Sequence, residues 1–270
     1  MALVAGCSGD VGSTGEREVD SHEIGESTQA FTSAGSYSYG VTTQVALVDI
    51  GTANGRFCYT SGFAANLHMV DTIGVGRDDT VKPPRWEMEL NTFSGLPVGM
   101  FARCFYTNQI PKFDPAKGLQ LEHTSGKVKT ATLGPRSPGE LATLFAMANG
   151  LDGAFAFGSA SDYVKIRTTD PGDTWTLEYR ISGDIILTWG AIGGFTAFNG
   201  EVEWDAPPSG SSRLSLGTTT TGMNCFLTGF GGPFTSNDWS DGVYLSEDTT
   251  AHVNYLNVSN GKRGWAYCAS

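Results

Sequence analysis

Two tryptophans stand among carboxylates and amides in turn-like sequence. Trp204 lies in Glu201-Val-Glu-Trp204-Asp205-Ala-Pro-Pro208, and Trp239 in Ser236-Asn237-Asp238-Trp239-Ser240-Asp241-Gly242. An indole face can stack on the apolar face of a pyranose while Asp and Asn accept or donate to its hydroxyls. Trp204, Asp205, Asn237, Asp238, Trp239 and Asp241 therefore read as candidate sugar-binding residues. The plainer alternative is partial burial of both rings over a neighbouring sheet. Glu87 with Glu89, and Asp78 with Asp79, are the pairs a glycosidase could draw on. On a strand Glu87 and Glu89 share a face, and on an antiparallel sheet that face is usually the solvated one.

Other catalytic signatures are missing. There is no G-x-S-x-G, H-E-x-x-H or P-loop, and no G-x-G-x-x-G in a strand-to-helix setting. His22, His68, His123 and His252 are scattered without ligand spacing, so neither metal nor cofactor is expected. The expectation is a protein that binds rather than catalyses.

The elements that must carry these residues recur. A ten-residue phrase occurs as Cys58-Tyr-Thr-Ser-Gly-Phe-Ala-Ala-Asn-Leu67, Ala146-Met-Ala-Asn-Gly-Leu-Asp-Gly-Ala-Phe155 and Cys225-Phe-Leu-Thr-Gly-Phe-Gly-Gly-Pro-Phe234. Aligned on Gly62, Gly150 and Gly229, it gives a period of about 80 residues. Downstream come strand-like runs starting at Trp86, Trp175 and His252, so His252 is expected as a packed ring in place of a tryptophan. Each copy closes on a small apolar strand: Phe101-Ala-Arg-Cys104, Trp189-Gly-Ala-Ile192 and Trp265-Ala-Tyr-Cys268. Trp86, Trp175, Trp189 and Trp265 are expected in the core.

Cysteine spacing follows the repeat. Cysteine opens the phrase and closes the last strand in the first and third copies, and Ala146 and Ile192 take those places in the middle copy. Two positions that are Cys/Cys twice and apolar/apolar once describe one buried contact, cross-linked in two copies. The pairing Cys58–Cys104 and Cys225–Cys268 follows, chosen from the three connectivities of four cysteines, with Ala146 and Ile192 meeting at the equivalent place. Disulfides imply an oxidising compartment and hence export.

The fifth cysteine lies in Val4-Ala5-Gly6-Cys7, which resembles the lipobox of bacterial lipoproteins. The resemblance implies lipidation of Cys7 and a membrane anchor. Only six residues precede Cys7, where a longer signal segment is the rule, so the N-terminus reads as truncated or mis-started. The third copy, from Cys225-Phe-Leu-Thr-Gly to Cys268, is similar to a Cys-Phe-Leu-Thr-Gly…Cys module of secreted bacterial proteins of unassigned function. That resemblance implies an extracellular β module and supplies no site residues.

Composition divides the chain. Residues 1–34 hold six carboxylates against one arginine, with few large apolar side chains, and read as a disordered acidic tether. From residue 35 to 270 the chain reads as an all-β domain of three repeats, about 35–112, 113–200 and 201–270, built of antiparallel sheets. Each repeat is expected to form its own small sheet. Whether the three close as a pseudo-threefold prism or stand in a row is left open. Pro138 to Ala148 has a helical look, but the repeat alignment makes it strand. The net charge of −11 offers no basic patch for nucleic acid. The functional expectation is a surface-tethered or secreted, non-enzymatic binder of a cell-surface glycan or other extracellular ligand, with up to three related sites. The alternative is a self-assembling subunit of a fibre or appendage, with Phe195 and Phe198 as a candidate contact.

Overall fold

The computed structural model describes residues 32–41, 45–67, 70–92, 97–107, 112–113, 118–149, 156–167, 174–218, 222–238 and 240–270. Cys7, the acidic stretch up to residue 31, His68, the Gly150-to-Phe155 half of the middle phrase and Trp239 lie outside these residues.

The chain is all β, and its strands are antiparallel. The first repeat supplies β1 (Thr32–Val41), β2 (Val45–Thr52), β3 (Arg56–Ala65), β4 (Val70–Asp78), β5 (Arg85–Thr92) and β6 (Val98–Tyr106). Two short strands follow, β7 (Lys112–Phe113) and β8 (Leu119–Leu121). The middle repeat continues with β9 (Lys129–Pro135), β10 (Leu141–Asn149), β11 (Tyr163–Arg167), β12 (Thr174–Arg180) and β13 (Ile185–Ile192). The third comprises β14 (Val202–Asp205), β15 (Ser211–Thr218), β16 (Asn224–Gly231), β17 (Gly242–Asp248), β18 (Val253–Ser259) and β19 (Arg263–Ala269). The helical-looking segment is strand β10, as the alignment requires.

The repeats do not form separate sheets. Sheet A runs β1-β6-β3-β17-β18-β15, sheet B runs β2-β5-β4-β10-β13-β7 with β8 also on β13, and sheet C runs β14-β19-β16-β11-β12-β9. Each sheet joins half of one repeat to half of another, and the third repeat returns to the first through β17 and β3. The joints are short, as in Gly242↔Ala64, Val243↔Phe63 and Tyr244↔Gly62. Exchange explains why one repeat cannot stand alone: a three-stranded half buries its apolar face only against another repeat. The central strands β3, β10 and β16 touch one another, and one apolar core spans all three sheets.

Every central strand carries a bulge against its partner, at Ser61, Phe145 and Thr228. A bulge turns backbone groups out of the ladder, and these need other partners when buried. The neighbouring central strand provides them. At the bulges, Thr60 Oγ1 donates to the Phe145 carbonyl and Thr143 Oγ1 to the Leu227 carbonyl at 2.9 Å; away from them, the Tyr59 hydroxyl donates to the Cys225 carbonyl at 2.6 Å. Burial pushes the Tyr59 phenol up to about 12, keeping it a donor.

Aligning the bulges corrects the middle register. Cys58 faces Cys104 and Cys225 faces Cys268, and both pairs are bonded, with Cα–Cα separations of 4.1 and 4.0 Å. Their counterpart is Ala142↔Ala191; Ala146 instead faces Thr188, and Ile192 faces Leu141. The equivalent of Gly62 and Gly229 is therefore Ala146. A Cβ on Gly62 would stand 2.2 Å from Tyr244 Cβ, so glycine is needed there. At Ala146 the glycine is on the facing strand: a Cβ on Gly74 would lie 2.3 Å from Ala146 Cα.

A second landmark shifts in the third repeat. Trp86, Trp175 and Asn254 each face a glycine of positive φ beside a bulge: Gly51, Gly134 and Gly217. His252 is thus no core ring. It is an exposed turn residue at φ 52°, and Asn254 takes the tryptophan position, accepting from Arg103 Nη1 at 2.8 Å. Trp86, Trp175 and Trp265 are buried; Trp189 is half-buried against the core.

Candidate functional site

In sheet A one row of facing residues crosses five strands: Phe101, Gly62, Tyr244, Asn257 and Arg213. Gly62 has no side chain, so the rings flanking it lean together. Phe101 and Tyr244 stack with centroids 4.2 Å apart and planes 11° apart. Such a pair adds about 0.5–1.5 kcal/mol beyond its buried area. Asn257 Nδ2 donates to the Tyr244 carbonyl at 3.1 Å and to Ser246 Oγ at 2.8 Å, which fixes the amide. The Arg213 guanidinium lies 4.4 Å over the Tyr255 ring.

Beside this row opens a pocket of about 300 Å³, lined by residues 211–213, Ser240, Gly242, Tyr244 and residues 257–259. Strands β15, β17 and β18 supply most of it. Ser240 comes from the loop between β16 and β17. That loop is shaped by Asp238, whose Oδ1 accepts from the Ser240 amide at 2.9 Å and its hydroxyl at 2.8 Å. These bonds hold the Asp238 carboxyl below the usual range.

The structure sorts the sequence candidates. Ser240 lines the pocket wall, whereas Trp204 Nε1 donates at 3.0 Å to Ser212 Oγ on the core-facing side of β15. Trp204 itself is half-buried and packs on the core, which is the plainer of its two expectations. Asn237 and Asp238 are exposed on the loop, and Asp205 is an exposed carboxylate 3.7 Å from Arg263 Nε. Asp241 is turned inward rather than toward solvent. It is 4% exposed, pairs with the buried Lys262 ammonium and accepts from Ser259 Oγ at 2.8 Å. Burial pulls Lys262 below the usual lysine range against the opposing pull of Asp241. The pair anchors the loop; breaking it would leave a charge buried, at a cost of about 3–5 kcal/mol.

Arg213, Tyr244 and Asn257 were not singled out by sequence. They lie in ordinary alternating strand sequence, and only the register across three strands assembles them.

The equivalent rows differ. In sheet B the row reads Thr188, Ala146, Gly74, Glu89 and Leu47. In sheet C it reads Trp265, Gly229, Lys165, Glu178 and Thr130. There Lys165 Nζ pairs with Glu201 at 3.0 Å and lies 5.5 Å over Trp265, so the charges satisfy one another. The row chemistry of sheet A is thus not repeated in B or C. Glu87 and Glu89 do share a face, but they are half-buried rather than solvated. Burial raises both carboxyls, and Asp78 and Asp49 push Glu87 further. Phe195 is buried against Phe226, and Phe198, 39% exposed, packs its ring against Phe195 and Tyr267.

Among the described residues no cluster of three His, Cys, Asp or Glu is placed to hold a metal ion, and no helix is long and apolar enough to cross a membrane. No protein-family model and no curated protein matches the chain.

Proposed function

We propose that this chain is a saccharide-binding protein, lectin-like and non-enzymatic, displayed outside the cytoplasm and tethered through Cys7. The observation that carries this reading is the pocket on sheet A. It sets an aromatic platform, Tyr244 on Phe101, beside hydroxyls, an amide and a guanidinium. Sites for small polar ligands combine an apolar surface with a few placed polar groups in this way. The two disulfides fit folding in an oxidising environment. The lipobox resemblance supports the anchor.

A glycan array with the domain from residue 32 onward tests the reading. At least one oligosaccharide should bind, and Tyr244→Ala should weaken it by about tenfold or more, the loss expected when a stacking ring is removed. Trp204→Phe keeps an aromatic ring but loses the indole N–H bond to Ser212 and part of the packing on the core, away from the pocket, so its effect should be smaller. Absence of any saccharide whose binding depends on Tyr244 overturns the proposal.

A further inference from the structure

The hydrogen-bonding capacity of the pocket is unbalanced. Ser240 gives its hydroxyl proton to Asp238 within its own loop, and Ser259 gives its proton to the buried Asp241. Ser212 alternates with Arg213 and turns to the core face of β15, beside Val258, where its Oγ accepts from Trp204, so it offers no donor here. Ser211 and Tyr244 add hydroxyls, and Arg213 adds the five N–H groups of a guanidinium. Asn257 commits its Nδ2 to β17, which leaves Oδ1 as an acceptor. Donors therefore outnumber dedicated acceptors.

Charge points the same way. Arg213 is the sole charged residue lining the pocket, and among the described residues it makes no ion pair. It is exposed, yet its guanidinium is laid against Tyr255 rather than free to sweep solvent. Stacked arginine presents its planar edge, which matches the paired oxygens of a carboxylate or sulfate. On a chain of net charge −11, an unpaired cation set in a donor-rich pocket selects against the protein's own sign.

Building on the saccharide reading above, we infer that the ligand is an acidic saccharide whose anionic group is held by Arg213, with Ser211 completing the cradle. The sugar ring bearing that group lies against Tyr244, and one of its hydroxyls donates to Asn257 Oδ1. The anion is a uronate-type carboxylate or a sulfate ester; both present paired oxygens.

The experiment uses the full chain and four probes: oligogalacturonate, its methyl ester, a sulfated dextran oligomer and the unsulfated dextran. At least one charged probe should bind about tenfold more tightly than its neutral counterpart, with the preference shrinking as salt screens the exposed arginine. Which charged probe wins separates carboxylate from sulfate. Arg213→Gln should abolish the preference, and Arg213→Lys should keep part of it. Equal binding of charged and neutral probes, or a preference that survives Arg213→Gln, overturns the inference; if that binding still depends on Tyr244, the saccharide reading stands. A charged probe that binds Arg213-dependently but is indifferent to Tyr244→Ala overturns the saccharide assignment and leaves a bare anion site. Binding by none of the four probes overturns the acidic-saccharide inference, while the wider array decides the parent reading.

Discussion

The strand pair β3–β6 and its counterpart β10–β13 hold equivalent places in the cycle of sheets but are secured differently. One is cross-linked through Cys58–Cys104; the other packs Ala142 on Ala191, both fully buried. One keeps glycine at position 62 beneath Tyr244, whereas the other has Ala146 and moves the glycine to Gly74 across the joint. What this place in the fold requires is the bulge and room for one Cβ too few. The covalent bond, and the strand on which the glycine sits, are free to vary. So is the outer row, which carries Phe101, Tyr244, Asn257 and Arg213 in sheet A but Thr188, Gly74, Glu89 and Leu47 in sheet B.

The comparison breaks most visibly if the bond is removed. Replacing Cys58 and Cys104 by Ala makes the first pair resemble the middle one. Loop entropy predicts a loss of about 4 kcal/mol in denaturant unfolding, with the fold retained. A loss below about 1 kcal/mol would mean that pairing alone already fixes these strands. The reverse change, Ala142→Cys with Ala191→Cys, should give a third disulfide by non-reducing peptide mapping and a gain of about 2–4 kcal/mol. If the two thiols stay reduced under conditions that oxidise the native pairs, the bulge-aligned register is wrong.

A smaller contrast lies in the glycines. Gly62→Ala drives a methyl into Tyr244 and should cost about 1–3 kcal/mol, and more if the Phe101 stack is lost. Ala146→Gly only loosens a strand, by about 0.5–1 kcal/mol. Equal penalties in thermal unfolding would deny that the glycine has changed sides. Smallest is the effect of Glu89, the sheet B counterpart of Asn257. Burial raises its carboxyl above the ordinary 4.5, so the folded chain keeps a proton that the unfolded chain releases. Stability then falls as pH rises from 4.5 through the folded value. Glu89→Gln should flatten that part of the Tm–pH curve and raise Tm slightly at neutral pH; an unchanged slope assigns the dependence to other groups.

The all-β class, the repeat unit and both disulfides could be read from sequence because cysteine spacing and strand alternation are local signals. The middle register could not. Gly150 offered a glycine at the expected spacing, while the true equivalent, Ala146, had surrendered its glycine to a strand 72 residues away, at Gly74. His252 misled in a similar way, since the landmark it was matched to is a buried position, which the third copy fills with Asn254, bonded to Arg103 of the first. Sheet sharing was invisible because each joint spans only two or three residue pairs, too few to leave a pattern. Of the site, the 236–241 loop was legible as unusual loop chemistry, whereas Trp204, read as turn-like, stands on strand β14 opposite Gly264. Tyr244, Asn257 and Arg213 were not legible, because their meaning lies in alignment across strands and not along one.

The return of the third repeat to the first also dictates an order of events during synthesis. Sheets B and C draw on consecutive repeats, so the strands of B are all made once β13 is made. Sheet A is different: β1, β3 and β6 are made first, and their partners β17 and β18 arrive among the last residues of the chain. Until residues 242–259 leave the ribosome, the β3 side of that half-sheet has no partner strand, and the row that forms the pocket does not exist. A chain that stops before residue 242 therefore has only the first-repeat half of its oldest sheet, and the binding surface reports that the third repeat has joined the first.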